Sequence, residues 1–150
     1  MAKHKKTFQD ILNSVKTEKK HDYNPLEGIV VKNPPFSYWV EKMFFFGGCD
    51  RQLRQKTGCF PATLKKHRSS HPVFLLNKDS QHAFQACPCT SQPNRKSRYI
   101  KAGCILDKTG VTIHSNSYIL KHLSFNLSHD PEFNANLRYM GIVPSECIKK

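Results

Sequence analysis

The side chains best suited to chemistry in this chain are histidines, hydroxyls and cysteines. Cysteines stand at positions 49, 59, 87, 89, 104 and 147. A structural zinc site uses ligand pairs two to four residues apart, twice over. Here the one close pair is Cys87-Pro88-Cys89, and no second pair answers it. His67 and His71 have the i,i+4 spacing of two ligands on a helix, but Pro72 and the strand-like residues after it argue against a helix there. The sequence therefore predicts no metal site and no cofactor, and reads the cysteines as small buried hydrophobes. Gly47-Gly48 lacks the spaced glycines and the Lys-Ser/Thr of a nucleotide-phosphate loop. Nothing flanking the six cysteines supports a Cys/His nucleophile. What remains is a set of polar residues at the ends of apolar runs: His71-Pro72 before Val73-Phe74-Leu75-Leu76, Thr90-Ser91 after Cys87-Pro88-Cys89, and Lys121-His122 after Ser117-Tyr118-Ile119-Leu120. Each has an ordinary structural use as well, in a turn, at a strand start or on a solvated strand face. Arg95, Lys96 and Arg98 follow Ser91 in a basic loop suited to holding a phosphate backbone.

These ends need elements to position them. Residues 1–24 read as a basic arm, in which Phe8, Ile11, Leu12 and Val15 fall at helical spacing and Thr7 with Asp10 offers a weak cap. Residues 26–32 carry a short strand signal, stopped by Asn33-Pro34-Pro35. Residues 36–46 read as a second strand or buried segment, broken by Gly47-Gly48. Residues 51–71 hold Arg51, Arg54, Lys56, Lys65, Lys66 and Arg68 with no acidic residue, which predicts a phosphate-facing loop. Beyond that the pattern is mostly strand, over 71–76, 81–89, 99–106 and 111–113, then 118–120 leading into 121–127. Asp107-Lys108-Thr109-Gly110 is a hairpin turn whose glycine supplies positive φ. A short helix is predicted over 131–137, with Asp130 as N-cap and Pro131 in the first turn. A strand over 139–143 and a helical turn at 144–148 close the chain. Short strands, tight turns and one late helix predict a mainly β fold with helices (α+β), a small β-barrel spanning 25–150 behind the 1–24 arm.

The chain has 150 residues, enough to bury roughly 70% of its unfolded surface without help from metal or disulfides. Six cysteines are too sparse for a disulfide framework. No apolar stretch approaches the ~20 residues of a membrane span, and Met1-Ala2-Lys3-His4-Lys5-Lys6 leads into no apolar signal core. A cytoplasmic protein with free thiols and no membrane partner is the expectation. Net charge is +13, from 24 Lys+Arg against 11 Asp+Glu, which favours polyanionic partners.

Taken in order, His71-Pro72-Val73-Phe74, Cys87-Pro88-Cys89-Thr90-Ser91, Asp107-Lys108-Thr109-Gly110-Val111, Ser117-Tyr118-Ile119-Leu120-Lys121-His122 and Met140-Gly141-Ile142-Val143 resemble the PemK/MazF (Kid-like) family of toxin endoribonucleases, over about residues 58–148. In that family an Arg-Pro precedes an apolar strand, a Pro-x-Thr-Ser ends the next long strand, and a Ser-apolar-apolar strand carries polar site residues. The likeness rests on order and spacing rather than on a rare motif. It implies an SH3-like small barrel with a C-terminal helix, usually a homodimer, that cleaves single-stranded RNA without metal. The ribose 2′-hydroxyl would attack the adjacent phosphate, leaving a cyclic phosphate and a 5′-hydroxyl.

On this resemblance Thr90 and Ser91 donate to the scissile phosphate. His71 stands where the family has arginine, with Arg68 three residues earlier as a substitute cation. His122 falls where the family keeps a polar residue, and Phe125 replaces a later arginine. A His71/His122 pair would supply acid and base, since an unperturbed imidazole titrates near about 6.5. Lys65, Lys66, Arg95, Lys96, Arg98 and Lys121 would hold RNA, and Tyr99 would stack a base. The first expectation is thus an endoribonuclease toxin with an acidic antitoxin partner. The alternatives are a nucleic-acid-binding barrel without the active residues, and a basic module for an acidic protein. The first requires His71, Thr90 and His122 in one positively charged hollow.

Overall fold

Phe44 and Phe45 are neighbours in the chain and belong to different hydrophobic cores, and that alternation organises the whole molecule. In the computed structural model, which describes residues 33–63 and 69–150, eight strands form one antiparallel sheet curled into a half-barrel. The basic arm, the strand expected over 26–32, and Lys65, Lys66, His67 and Arg68 lie outside the described residues.

In chain order the elements are β1 (Met43–Cys49), α1 (Asp50–Thr57), β2 (Ser70–Ser80), β3 (Ala83–Thr90), β4 (Tyr99–Ile100), β5 (Ser117–Ile119), β6 (Phe125–Ser128), α2 (Pro131–Asn134), β7 (Arg138–Ile142) and β8 (Ile148–Lys149). The sheet order is β7-β1-β2-β3-β5-β4-β8, and β6 also pairs with β3. Successive strand residues point to opposite faces, so Phe45, Val73, Leu75 and Ala86 fill one core while Phe44, Phe74, Cys87 and Cys89 fill the other. Burial on both faces explains why Met43 to Phe46 and Val73 to Leu76 are continuous apolar runs rather than alternating ones.

Several sequence expectations change here. Gly47-Gly48 does not break the first strand. β1 runs through the pair with a bulge between Phe45 and Gly48, and Gly47 takes φ +92, a conformation that glycine adopts readily. Gly48 has a different use: a Cβ there would meet Val73 Cγ2 at 2.8 Å and the His71 carbonyl at 2.9 Å. The missing side chain lets β1 lie close against the start of β2.

The expected phosphate-facing loop after residue 50 begins instead as α1. Asp50 in its first turn complements the helix dipole, Leu53 is buried, and Gly58 closes it in a left-handed cap at φ +87. Arg54 bonds the Ala62 carbonyl and Lys56 pairs with Asp130 at 2.9 Å, so both cations are engaged within the fold.

The strand expected over 121–127 is interrupted. β5 pairs with β3 at Cys89 and Thr90, β6 pairs with β3 from Ala83 to Ala86, and a 3-10 turn at Lys121–Leu123 separates them. The break lies opposite Pro88, whose carbonyl accepts from Leu120 N but which has no N–H to return the bond. The strand expected over 99–106 is paired only at Tyr99–Ile100, and the hairpin turn at 107–110 is present, with Gly110 at φ +77. Asp130 caps α2 by accepting from Phe133 N, with Pro131 in the first turn. The C-terminus carries a 3-10 turn, Ser145–Cys147, and then β8 rather than a helix.

The cysteines divide. Cys104 and Cys147 form a disulfide, which corrects the expectation of free thiols throughout, while Cys87 and Cys89 are buried as small apolar side chains. The physical reason is placement: β4 pairs with β8, which carries the residue before Ile148 to the start of the 101–116 loop.

Candidate functional site

Among the described residues, two cavities on the half-barrel differ in the charged side chains that line them. The larger, about 780 Å³, has an apolar floor of Phe74, Leu76, Ile119 and Ile148. Its rim carries Lys42, Lys96, Arg98, Lys121 and His122, and no carboxylate lines it among the described residues. The floor comes from alternation: Phe74 and Ile119 belong to the second core, and Leu76 and Ile148 pack at its margin. The rim comes from irregular segments. Lys42 occupies a left-handed turn position at φ +70 just before β1, with its ammonium 2.9 Å from Ser145 Oγ. Lys96 and Arg98 come from the loop after β3. Lys121 and His122 come from the 3-10 turn that the missing Pro88 donor permits.

The smaller cavity, about 480 Å³, is walled by Phe44, Phe46, Val111, Ile113 and Met140, with Ser70, His71, Ser91, Thr112, His114, Ser115, Asn116 and Ser117 as its polar groups. No lysine, arginine or carboxylate lines it among the described residues. His71 is held from behind: its Nδ1 is 2.7 Å from Asp50 Oδ1, and Asp50 is only 3% exposed. Phe60 meets the imidazole edge-on at 4.8 Å between ring centroids. The β1–β2 register, with Gly48 opposite His71 and Cys49 opposite Ser70, brings the next residue, Asp50, to the histidine.

The loop joining β3 to β4 walls both cavities, Ser91 facing the neutral one and Asn94, Lys96, Ser97 and Arg98 the basic one. The structure thus groups His71 with Ser91, and His122 with Lys96, Arg98 and Lys121. It does not gather His71, Thr90 and His122 into one hollow, which corrects the two-histidine centre expected from sequence. The reason is sheet order: His71 lies on β2, which pairs with one edge of β3, while His122 lies in the turn between β5 and β6, which pair with the other. Thr90 lines neither cavity; its hydroxyl accepts from Gln92 N at 3.1 Å in a local turn. Arg95 is exposed on the shared loop but lines neither cavity. Arg68, Lys65 and Lys66 lie outside the described residues. Phe125 is buried in the first core and Tyr99 is half-buried against Tyr118, ring centroids 5.1 Å apart.

Sequence reasoning missed Asp50, Lys42 and His114. Asp50 left one signal, an acid in the first turn of a helix, but its link to a histidine 21 residues later exists only through strand pairing. Among the described residues no group of three or more His, Cys, Asp or Glu lies together as a metal site would need. No helix among them is long and apolar enough to cross a membrane. Comparison of the chain with family models, with curated proteins and with solved structures finds no match.

Proposed function

We propose that this chain binds a single RNA strand along the basic hollow. The observation that carries the reading is the composition of that hollow: four lysine and arginine side chains and a histidine, with no carboxylate among the described lining residues, over an apolar floor. Cations meet phosphates and release counterions, while an apolar floor receives the faces of unpaired bases. The Tyr99–Tyr118 pair beside Arg98 adds ring faces at the same end of the sheet. The narrower readings, an SH3-like barrel of the PemK/MazF type, a homodimer and a cytoplasmic location, belong to this proposal and rest on the order of motifs along the chain.

The test is a salt titration. Each phosphate contact on a single strand contributes a slope of about −0.7 in log K against log salt. Replacing Lys96, Arg98 and Lys121 together with Gln is therefore expected to weaken binding of mixed-sequence RNA and to flatten the slope by about 2. An unchanged slope would show that RNA does not use this hollow.

A second reading is RNA cleavage by 2′-hydroxyl attack at His71 alone, without the His71, Thr90 and His122 centre expected from sequence, and one specific feature favours it: His71, backed by buried Asp50, shares its cavity with Ser91 on the same loop that bears the cations. A toxin with an acidic antitoxin segment covering the hollow belongs to this reading. Wild-type protein in EDTA is expected to produce cyclic-phosphate and 5′-hydroxyl ends, and His71→Ala is expected to produce none. RNA that is bound and left intact keeps the binding proposal and ends the cleavage one.

A further inference from the structure

We propose that Asp50 is the positioning residue of an acid–base centre at His71, and that the neutral cavity is where a ribose 2′-hydroxyl of bound RNA meets it. The inference rests on the cleavage reading above. Three observations carry it. The Asp50 carboxylate is almost wholly buried and lies 2.7 Å from His71 Nδ1, so the Nδ1–H donates to it and the ring presents Nε2 as its basic atom. Among the described residues Nε2 has no hydrogen-bond partner, and His71 lines the cavity. The ring cannot turn freely, because Phe60 packs against it on another side, while Asp50 is itself anchored in the first turn of α1 with its N–H donating to the Ser69 carbonyl at 3.2 Å.

The division of charge between the two cavities then fits a division of labour. Phosphates are drawn to the lysine and arginine rim. An uncharged sugar and base fit the cavity that no lysine, arginine or carboxylate lines among the described residues, against Phe46 and Met140 and beside the hydroxyls of Ser91 and Ser115. Ser91 and Arg98 belong to one short loop, so a strand crossing it presents phosphate on one side and ribose on the other. In the step itself His71 Nε2 takes the 2′-hydroxyl proton and the O2′–P bond forms. The P–O5′ bond breaks, and the departing 5′-oxygen takes a proton from water. The imidazolium returns its proton to the resulting hydroxide, so charge and atoms balance.

Two measurements test the inference. Nitrogen chemical shifts of His71 in the wild-type protein, read in long-range proton–nitrogen correlation spectra, are expected to show the proton of the neutral ring on Nδ1. A proton on Nε2 instead would overturn the assignment, and this measurement needs no variant. In steady-state cleavage Asp50→Asn is expected to lose on the order of 10²- to 10⁴-fold in kcat with KM little changed, since RNA is held elsewhere. Wild-type cleavage with equal kcat in Asp50→Asn, checked for native circular dichroism, overturns the role of Asp50 alone. Intact RNA with the wild type overturns the cleavage reading and the inference with it.

Discussion

Cys87 and Cys89 show how a residue's chemistry is decided by its surroundings. They alternate with Pro88 on β3 and point into the second core. Burial pushes the Cys87 thiol well up, the neighbouring Cys89 adds to the effect, and the Lys121 ammonium opposes it. Burial pushes Cys89 up to about 12, with the Ser117 hydroxyl only partly offsetting it. The thiolate is the nucleophile, so neither is reactive near neutral pH. A thiol-alkylating reagent is expected to label exposed Cys59 first and half-buried Cys49 more slowly, leaving Cys87 and Cys89 unmodified until the chain is denatured. Rapid native labelling of either, by peptide mass spectrometry, would contradict the packed core. At this scale the sequence showed residue types but not company. Histidine beside proline marked His71 as notable, yet its partner Asp50 was invisible, because a contact across 21 residues depends on register. Thr90 read as a phosphate donor, and the structure has its hydroxyl committed to Gln92 N.

Among the elements, the tie between the two helices has a definite pH signature. Asp130 caps α2 and receives Lys56 Nζ from α1 at 2.9 Å. The Lys56 ammonium, then the Phe133 N–H, hold its carboxyl below the usual range. A carboxyl depressed in the folded state adds stability above its unfolded value of about 3.9, and that stability is lost as pH falls through the folded value. Asp130→Asn keeps a capping oxygen and removes the charge. Its melting temperature is expected to lie slightly below that of the wild type at pH 7, Asp130 being a third exposed, and the gap is expected to close as pH drops below about 4. A gap independent of pH would mean that the charge adds nothing. The short helix at Pro131 was legible because caps are local chemistry. The path of β1 through Gly47-Gly48 and the kink at Lys121–Leu123 were not, since one depends on the backbone of β2 and the other on a proline in a different strand.

The Cys104–Cys147 disulfide acts on the molecule as a whole. It joins positions 43 residues apart, from the loop between β4 and β5 to the turn before β8, and Ile148 beside it lines the basic hollow. Closing a loop of that length restricts the unfolded chain by about 4 kcal/mol. Reductant, or paired Cys104→Ala and Cys147→Ala substitutions, is expected to lower Tm by about 10 °C. An unchanged melting curve would show that the crosslink carries no stability. The mainly β class and the basic surplus could be read from composition and turn chemistry. That lysines and arginines would rim one hollow and none would line the other could not, because it depends on which strands share β3.

The eight residues from Ser91 to Arg98 form a common partition between two compartments. One short span of backbone thus sets the border of both, with Ser91 turned to one hollow and Lys96 and Arg98 to the other.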